Sequence, residues 1–373
     1  MRVALVHDYL TQFGGAERVL DALMEVFPHA PVYTLICDPA VLPTTFDRRR
    51  LRTSFLQSWP FSRRHHRFFP LVMPLATEQF DLREFDVVFS ATHSFTKGVI
   101  TGAHTMHVSY CFTPTRYIWD DCHRYIREFS HSKLLQMISP PGLSYLRLWD
   151  YAAAQRVDHY LTLSHYVAQR IRKYYRRESL IIAPPVDVDR FTVAGDQRQD
   201  YYVIVSRLVP YKRIDIAIDA CERSGVPLRI AGTGPEELAL KRRAGRWTTF
   251  LGFVPDEQLP QLYAGARALL FPQEEDFGIT PLEAAASGKP TIAYGAGGAR
   301  ETIINGQTGL FFAKQHPASL MAALQQSAAI AWDPTLIRTH AEQFRREHFL
   351  QKIQETVHTL WMSYQSTHAA RRR

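Results

Sequence analysis

Short apolar runs of strand size alternate with helix-like stretches through the whole chain. In the first half the runs are Val3–His7, Val32–Ile36, Val87–Ser90, His107–Cys111 and His159–Ser164. In the second they are Tyr202–Ser206, Leu228–Ala231, Thr249–Leu251, Ala268–Phe271 and Thr291–Tyr294, with a late one near Gly309–Phe312. Strand and helix in strict alternation predict α/β architecture with parallel sheets. The stretch IIAPPVDVDRF (Ile181 to Phe191) separates the two series, and its prolines suit an interdomain connector. We therefore expect one doubly wound domain over 1–185 and another over 190–345, facing each other across a cleft. Residues 346–373 form a C-terminal helix and basic tail expected to pack back on the first domain. The helical pattern itself starts near Thr335 and runs to Tyr364, before the terminal RRR. Ligands of such sheets bind beyond the carboxyl ends of the strands.

At 373 residues the chain is too long for one ordinary core, which agrees with two domains. Its 46% hydrophobic and 21% charged residues are those of a soluble globular protein. Cys37, Cys111, Cys122 and Cys221 form no CxxC pair and read as reduced thiols of a cytoplasmic protein. The first apolar run is too short for a signal peptide, and no window approaches the length of a membrane span. The net charge of +8 is concentrated in one place. RRRLRTSFLQSWPFSRRHHRFF (Arg48 to Phe69) carries seven arginines interleaved with Phe and Trp, and no acid occurs between Asp47 and Glu78. A face for anionic membrane, a solvated basic loop and a nucleic-acid patch all fit that composition. No zinc-finger spacing or RNA-binding signature supports the last, so no nucleic-acid partner is expected.

The chemistry-bearing stretches follow strands. In EEDFGITPLE (Glu274 to Glu283), Thr280-Pro281-Leu282-Glu283 reads as a capping box, with Thr280 at the N-cap and Glu283 reaching back. That leaves Gly278 and Glu275 unexplained, and a helix N-terminus also presents free N–H groups to anions. Gly14-Gly15 follows the first strand. Gly232 and Gly234 follow another, and Gly295, Gly297 and Gly298 precede a helix; none completes GxGxxG, so a dinucleotide is not implied. In VSRLVPYKRIDIAIDA, Arg207 lies just after a strand and Lys212 at a helix start. A cation there opposes the helix dipole unless an anion is present, and a diphosphate would fit. Asp187-Val188-Asp189 matches the D-x-D of metal-bridged diphosphate sites, but it falls in the connector, where a turn or cap role is the better account. With Arg, Lys and helix N-termini for the charge, no metal and no cofactor are expected.

SRLVPYKRIDIAIDA, AGTGPE, LGFVPDEQLPQLYAGARALLFP, EEDFGITPLEAAASGKPTIAYGAGGARETI and NGQTGLFF resemble the retaining glycosyltransferases of family 4, of GT-B architecture with two Rossmann-like domains. In the first half FGGAERVL, SATHSFTKGVI and HVSYCFTPTRYIWD are similar too, and the likeness is nearest to the mannosyltransferase-like branch of bacterial polysaccharide synthesis. The resemblance implies that Glu283 holds the donor ribose and that Glu275 faces the donor sugar. The amides around Gly278, Ile279 and Thr280 would meet sugar and phosphates. Arg207 and Lys212 would take the diphosphate, with Gly14 and Gly15 closing over it. Glu17, His93, Lys97, His107, Arg116, Trp119 and Asp120 are candidates for contact with sugar or acceptor.

The resemblance thus implies a metal-independent hexosyltransferase, moving mannose from GDP-mannose to a saccharide acceptor. A lipid-linked acceptor would account for the Arg48–Phe69 stretch at the inner face of the cytoplasmic membrane. One position departs from the pattern: where relatives of this branch commonly have His, this chain has Phe112. Either His107 or His93 covers that role, or the sugar is handled differently, or activity is reduced. Two other readings stay open: a non-catalytic saccharide- or partner-binding protein on the same scaffold, and a nucleotide-sugar epimerase.

Overall fold

The N-terminal apolar run forms β1 (Val3–Leu10), whose Ala4, Leu5, Val6 and Leu10 are fully buried. In the computed structural model, residues 1–43, 46–60, 62–65, 69–120, 122, 133–193 and 200–370 are described. They fall into two compact units, one of residues 1–184 with the chain from Phe349 onward, the other of residues 185–348.

The sheet of the first unit contains β1, β2 (Val32–Cys37), β3 (Leu51–Thr53), β4 (Val87–Thr92), β5 (Met106–Cys111), β6 (His159–Thr162) and β7 (Ser179–Ile181). Their order is β3-β2-β1-β4-β5-β6-β7, and every pairing is parallel. Leu5 stands opposite Val32 on one side of β1, and Val3 opposite Val87 on the other. Helices α1 (Gly15–Val26), α2 (Ser62–His65), α3 (Met73–Glu78), α4 (Lys133–Gln155) and α5 (His165–Tyr175) belong to this unit. One core cluster joins Leu35 and Ile36 of β2 to Met73 and Ala76 of α3 and Leu143 and Leu146 of α4.

The second unit repeats the plan with β8 (Tyr202–Val205), β9 (Leu228–Ala231), β10 (Thr248–Gly252), β11 (Ala268–Phe271), β12 (Thr291–Tyr294) and β13 (Gly309–Phe312). The order β10-β9-β8-β11-β12-β13 is the doubly wound 3-2-1-4-5-6 arrangement. Its helices are α6 (Ile214–Ser224), α7 (Glu237–Arg243), α8 (Leu259–Gly265), α9 (Ile279–Ala286), α10 (Ala299–Thr302), α11 (Pro317–Ala328) and α12 (Pro334–Glu342). Ile204, Ile230, Leu270 and Ile292 of the sheet pack with Ile218 and Leu324 of the helices. Each such side chain contributes about 1.5–3 kcal/mol through burial.

The C-terminal pattern is two helices rather than one. After α12, α13 (Arg346–Ala370) begins beyond a break where the Val186 N–H donates to the Phe344 carbonyl, 2.9 Å. Within the first unit, the Phe349 ring of α13 meets Tyr110 at 6.0 Å, and the Tyr364 hydroxyl donates to the Thr105 carbonyl. The terminal RRR lies outside the described residues. Asp187 and Asp189 serve the connector: Asp187 precedes a single 3-10 turn, and Asp189 accepts from Arg345 at 2.6 Å. Among the described residues no helix is long and apolar enough to cross a membrane.

Candidate functional site

In each unit the strand order reverses beside the first strand, at β1/β4 and at β8/β11. The loops leaving those strands diverge there and open a crevice. Most of the candidate residues are on these loops.

In the second unit, β8 ends at Val205 and Arg207 follows with its side chain exposed. Its backbone is clamped from behind, because the loop after β9 lies against it. The Leu208 N–H donates to Thr233 and the Glu236 N–H to Leu208, at 2.9 and 3.0 Å. A Cβ on Gly232, whose φ is +134°, would stand 1.9 Å from the Ser206 carbonyl oxygen, so only glycine allows this approach. The Arg207 guanidinium makes no hydrogen bond or ion pair among the described residues. Lys212 closes a short 3-10 turn before α6, and its ammonium pairs with the Glu275 carboxylate from the loop after β11. The anion opposite Lys212 is therefore supplied within the same domain. Both side chains are largely buried, 14% and 19% exposed.

Helix α9 begins two residues earlier than the capping box predicts. Gly278 is the N-cap, at φ +100°, and no side chain caps the first turn. Ile279 and Thr280 therefore present first-turn amides. Glu283, already inside the helix, cannot reach back to Thr280 as a cap. It is 6% exposed and accepts a hydrogen bond from the Tyr263 hydroxyl of α8 at 2.9 Å. Gly297 and Gly298 back this loop from beneath: the Gly298 N–H donates to the Glu275 carbonyl at 2.8 Å.

The first unit gathers a different set. The Gly14 N–H donates to Glu17 Oε2 at 2.8 Å, and Glu17 Oε1 lies 3.8 Å from His7 Nε2. Both side chains are buried, and His7 Nδ1 is 2.8 Å from the Ala91 carbonyl. Burial disfavours a charged His7, but Glu17, Asp8 and the Ala91 carbonyl outweigh it and raise the pKa. For Glu17, burial is opposed by His7 and by the Gly14 amide, and its pKa falls. Glu17 therefore holds the Gly14-Gly15 turn from inside rather than facing a ligand. Asp8 is fully buried and accepts the N–H groups of His93, Ser94, Phe95 and Thr96 at 2.7 to 2.9 Å. The Thr92 and Thr96 hydroxyls donate to it as well. Its burial would raise the pKa, yet His93, His7 and these donors bring it down to about 2. His93 itself is 40% exposed, with Nδ1 3.3 Å from Asp8.

Four further candidates are engaged by partners within the first unit. The Lys97 ammonium is buried and bonded to Asp150 Oδ1 at 2.5 Å and to the Ser94 carbonyl. His107 is fully buried against the Ser90 hydroxyl at 2.9 Å, and desolvation lowers its pKa to about 3, so it is a neutral core residue. The Trp119 indole N–H donates to Asp150 at 2.8 Å while its ring stacks on Tyr174 at 5.0 Å. Asp120 is engaged by Arg170 and by the Tyr174 hydroxyl. Arg116 is half-buried on the same loop. The Phe112 ring is buried, edge-on to His7 at 6.4 Å. The imidazole beside Phe112 is therefore His7, and neither His93 nor His107. Sequence reasoning missed His7, Asp8 and Tyr263; the available signal was HD inside an otherwise apolar strand run.

The family described as Glycosyltransferase Family 4 matches residues 13–190, and that described as Glycosyl transferases group 1 matches residues 186–329. The chain belongs to glycosyltransferase family 4. Among curated relatives, this family 4 chain is 28% identical over 209 residues to D-rhamnosyltransferase WbpZ of Pseudomonas aeruginosa, covering 52% of this chain and 53% of that one. It is 35% identical over 157 residues to a GDP-mannose-dependent alpha-(1-6)-phosphatidylinositol monomannoside mannosyltransferase of Mycolicibacterium smegmatis, covering 34% and 41%. The chain thus spans about half the length, or less, of the curated relatives it matches. Among solved structures, sucrose-phosphate synthase from Thermosynechococcus elongatus superposes with a TM-score of 0.70 at 18% identity, covering 97% of this chain and 100% of that one. Anabaena HepE in complex with UDP gives 0.69 at 19% identity, covering 96% and 100%. These likenesses identify the fold of this family 4 protein as GT-B.

Proposed function

We propose that the chain is a retaining, metal-independent hexosyltransferase that moves mannose from GDP-mannose to a saccharide acceptor carried on a lipid. The observation that carries the reading is that the loops at the β8/β11 switch point bear an exposed Arg207 guanidinium, unpaired among the described residues, together with Lys212 and the uncapped first turn of α9. In this reading the diphosphate lies on Arg207 and the amides of Ile279 and Thr280, and Lys212 turns from Glu275 towards it. Glu275, released, faces the sugar, and Glu283, oriented by Tyr263, takes the ribose hydroxyls. The bond from the anomeric carbon to the phosphate oxygen breaks, and fixed cations and amides stabilise the charge gathering on the leaving phosphate. The acceptor hydroxyl bonds to the same face of the anomeric carbon and its proton passes to the departing phosphate oxygen. The relatives named for GDP-mannose and for O-antigen mannose transfer support the choice of hexose and base. The Arg48–Phe69 stretch supports a membrane-surface location for the acceptor.

A thermal-shift panel of GDP, GDP-mannose, UDP and UDP-glucose, with and without EDTA, tests this. Binding at a hundredfold excess over Kd adds about 2.7 kcal/mol, a rise of roughly 5–10 °C in Tm for a unit of this size. Stabilisation by the guanine nucleotides, unchanged by EDTA, is expected. A shift with uridine nucleotides alone would overturn the donor, and a shift abolished by EDTA would overturn metal independence. No shift with any nucleotide would overturn the transferase reading itself.

A further inference from the structure

The first unit carries an exposed apolar face that the strand-end loops described above do not use. On α4, between Pro140 and Gln155, the side chains turned to solvent include Pro141, Ser144, Tyr145, Leu148, Tyr151 and Ala152, without a charge among them. The two charged residues of that stretch are turned inward. Arg147 donates to the Ile118 carbonyl at 2.9 Å, and Asp150 is buried under Lys97 and Trp119. A solvent-facing helix side is ordinarily its polar side. Here Leu148 is 74% exposed and Tyr145 51%.

The neighbouring helix continues the face. Leu71, in the turn just before α3, and Leu75, within it, are 52% and 55% exposed. The two helices are side by side: a Cβ on Gly142 of α4 would lie 3.5 Å from Leu71, and the Trp149 indole donates to Glu78 at 2.9 Å. Four aliphatic and aromatic side chains on two touching helices make a contiguous apolar ridge. The basic stretch adjoins it through aromatic rings, with Phe55 on Trp59 and Trp59 on Phe69, each pair at 5.7 Å, and Leu71 follows two residues later. Phe61, His66, Arg67 and Phe68 of that stretch lie outside the described residues. Arg50 is removed from it, since its guanidinium bonds the Ala30 and Phe27 carbonyls at the end of α1. Arg48, Arg49 and Arg63 remain at the surface, Arg48 with one bond to the Pro39 carbonyl and Arg49 paired with Asp47 at 3.2 Å.

We propose that the α3–α4 ridge inserts Leu71, Leu75, Tyr145 and Leu148 into a lipid bilayer while Arg48, Arg49 and Arg63 lie on its anionic head groups. Charge complementarity chooses this occupant. An apolar protein partner or a second copy of this chain would bury the leucines but leaves the exposed Arg48 and Arg63, which have no ion pair among the described residues, without counter-charge, whereas an anionic bilayer matches both at once. Trp59, between the two, has the amphipathic ring that settles at head-group level. The inference deepens the membrane-surface reading given above and names the groups that carry it.

Co-sedimentation of the full chain with vesicles of phosphatidylcholine, with and without phosphatidylglycerol, tests the proposal. The wild type should bind the anionic vesicles and lose affinity with salt. Leu75→Ser with Leu148→Ser should weaken that binding at least tenfold, the lower bound for two leucines whose exposed parts are no longer buried. The melting temperature should be unchanged, since both side chains face solvent. Replacing Arg48, Arg49 and Arg63 by Ser should instead remove the preference for phosphatidylglycerol. In the wild type, brominated acyl chains should quench tryptophan fluorescence. No vesicle binding by the wild type would overturn both this proposal and the membrane-surface reading. Binding fully retained by the leucine variant, with no quenching, would overturn insertion alone. A dimer in sedimentation velocity that the leucine substitutions dissolve, without vesicle binding, would make a second copy the occupant and overturn the bilayer.

Discussion

Gly298→Ala offers a way to move the β11 loop without touching any charge. A Cβ at position 298 would stand 2.3 Å from the Phe277 Cα and 2.5 Å from its nitrogen, and 2.6 Å from the Asp276 carbonyl oxygen. All three are backbone atoms, so no rotamer change relieves the clash. Ordinary van der Waals contact begins near 3.4 Å, so the two loops must separate by about 1 Å. That opening stretches the bond from Gly298 to the Glu275 carbonyl, 2.8 Å in the native loop, and displaces Glu275, Gly278 and the first turn of α9 together. A misplacement of about 1 Å can lower the rate of a positioned reaction by about 10²-fold. Loss of one net hydrogen bond and modest strain cost about 1–2 kcal/mol of stability. The expected outcome is a folded protein whose kcat/KM for hexose transfer falls about a hundredfold, measured with labelled GDP-mannose and a membrane extract as acceptor. Gly306→Ala is the control, because nothing lies within 4 Å of a Cβ there, although its φ of +78° brings a modest strain of its own. Transfer by Gly298→Ala within threefold of the wild type would refute the claim that this loop is held in register by its glycine backing.

Three further outcomes follow from the same geometry. Asp8→Asn should destabilise the first unit by about 2–3 kcal/mol in urea unfolding, the equivalent of the fall from 3.8 to about 2 in the Asp8 pKa. Because the folded value is the lower one, that stability is complete above about pH 4 and is lost as the pH falls towards 2; an acid limb identical in the variant would refute this. Lys212→Ala should lower kcat about 10²–10³-fold by removing leaving-group stabilisation, and an unchanged kcat would remove Lys212 from the chemistry. Glu283→Ala should weaken GDP binding by calorimetry about 10–100-fold, as expected for a charged hydrogen-bond partner, while Tyr263→Phe should produce a smaller loss of the same kind.

The inner strands were legible because their apolar runs are buried on both faces, and Leu228–Ala231, Ala268–Phe271 and Thr291–Tyr294 begin and end where the pattern predicts. The edge strands Leu51–Thr53 and Ser179–Ile181 were not, since half-exposed edges need no apolar run. The capping box failed for a local reason: Gly278 takes a left-handed conformation that starts the helix early, so Thr280 is already inside it. The HD pair marked His7 and Asp8 as unusual, but their role was illegible for the opposite reason. Asp8 bonds residues 85 to 88 positions away, a distance over which no local pattern reports. The acid-free arginine run was visible in the sequence, but the apolar ridge was not. α4 reads as a mixed, proline-containing helix until the structure shows which of its sides faces solvent.

Both units tie the loops of their first and fourth strands together with a carboxylate, and the way they differ says where an anion belongs. In the first unit the Asp8 carboxylate, within β1, takes the turn after β4 through backbone amides. The Asp8 carboxylate is itself fully buried, and its charge is answered by those dipoles and by His93 and His7. In the second unit the corresponding tie joins Lys212, after β8, to Glu275, after β11, near the surface. That pair is internally neutral, so Arg207 on the same loop as Lys212, without a partner among the described residues, is a surplus charge, held by a clamped backbone and exposed. An incoming diphosphate would meet Arg207 first and could then compete with Glu275 for Lys212, because a doubly charged ligand is the stronger partner for both cations. Glu275 would be freed for the sugar only once the diphosphate had arrived. The order of events makes Glu275→Gln informative: an unpaired Lys212 should bind free GDP more tightly than the wild type while sugar transfer falls. Weaker GDP binding in that variant would show that Glu275 does not compete for Lys212.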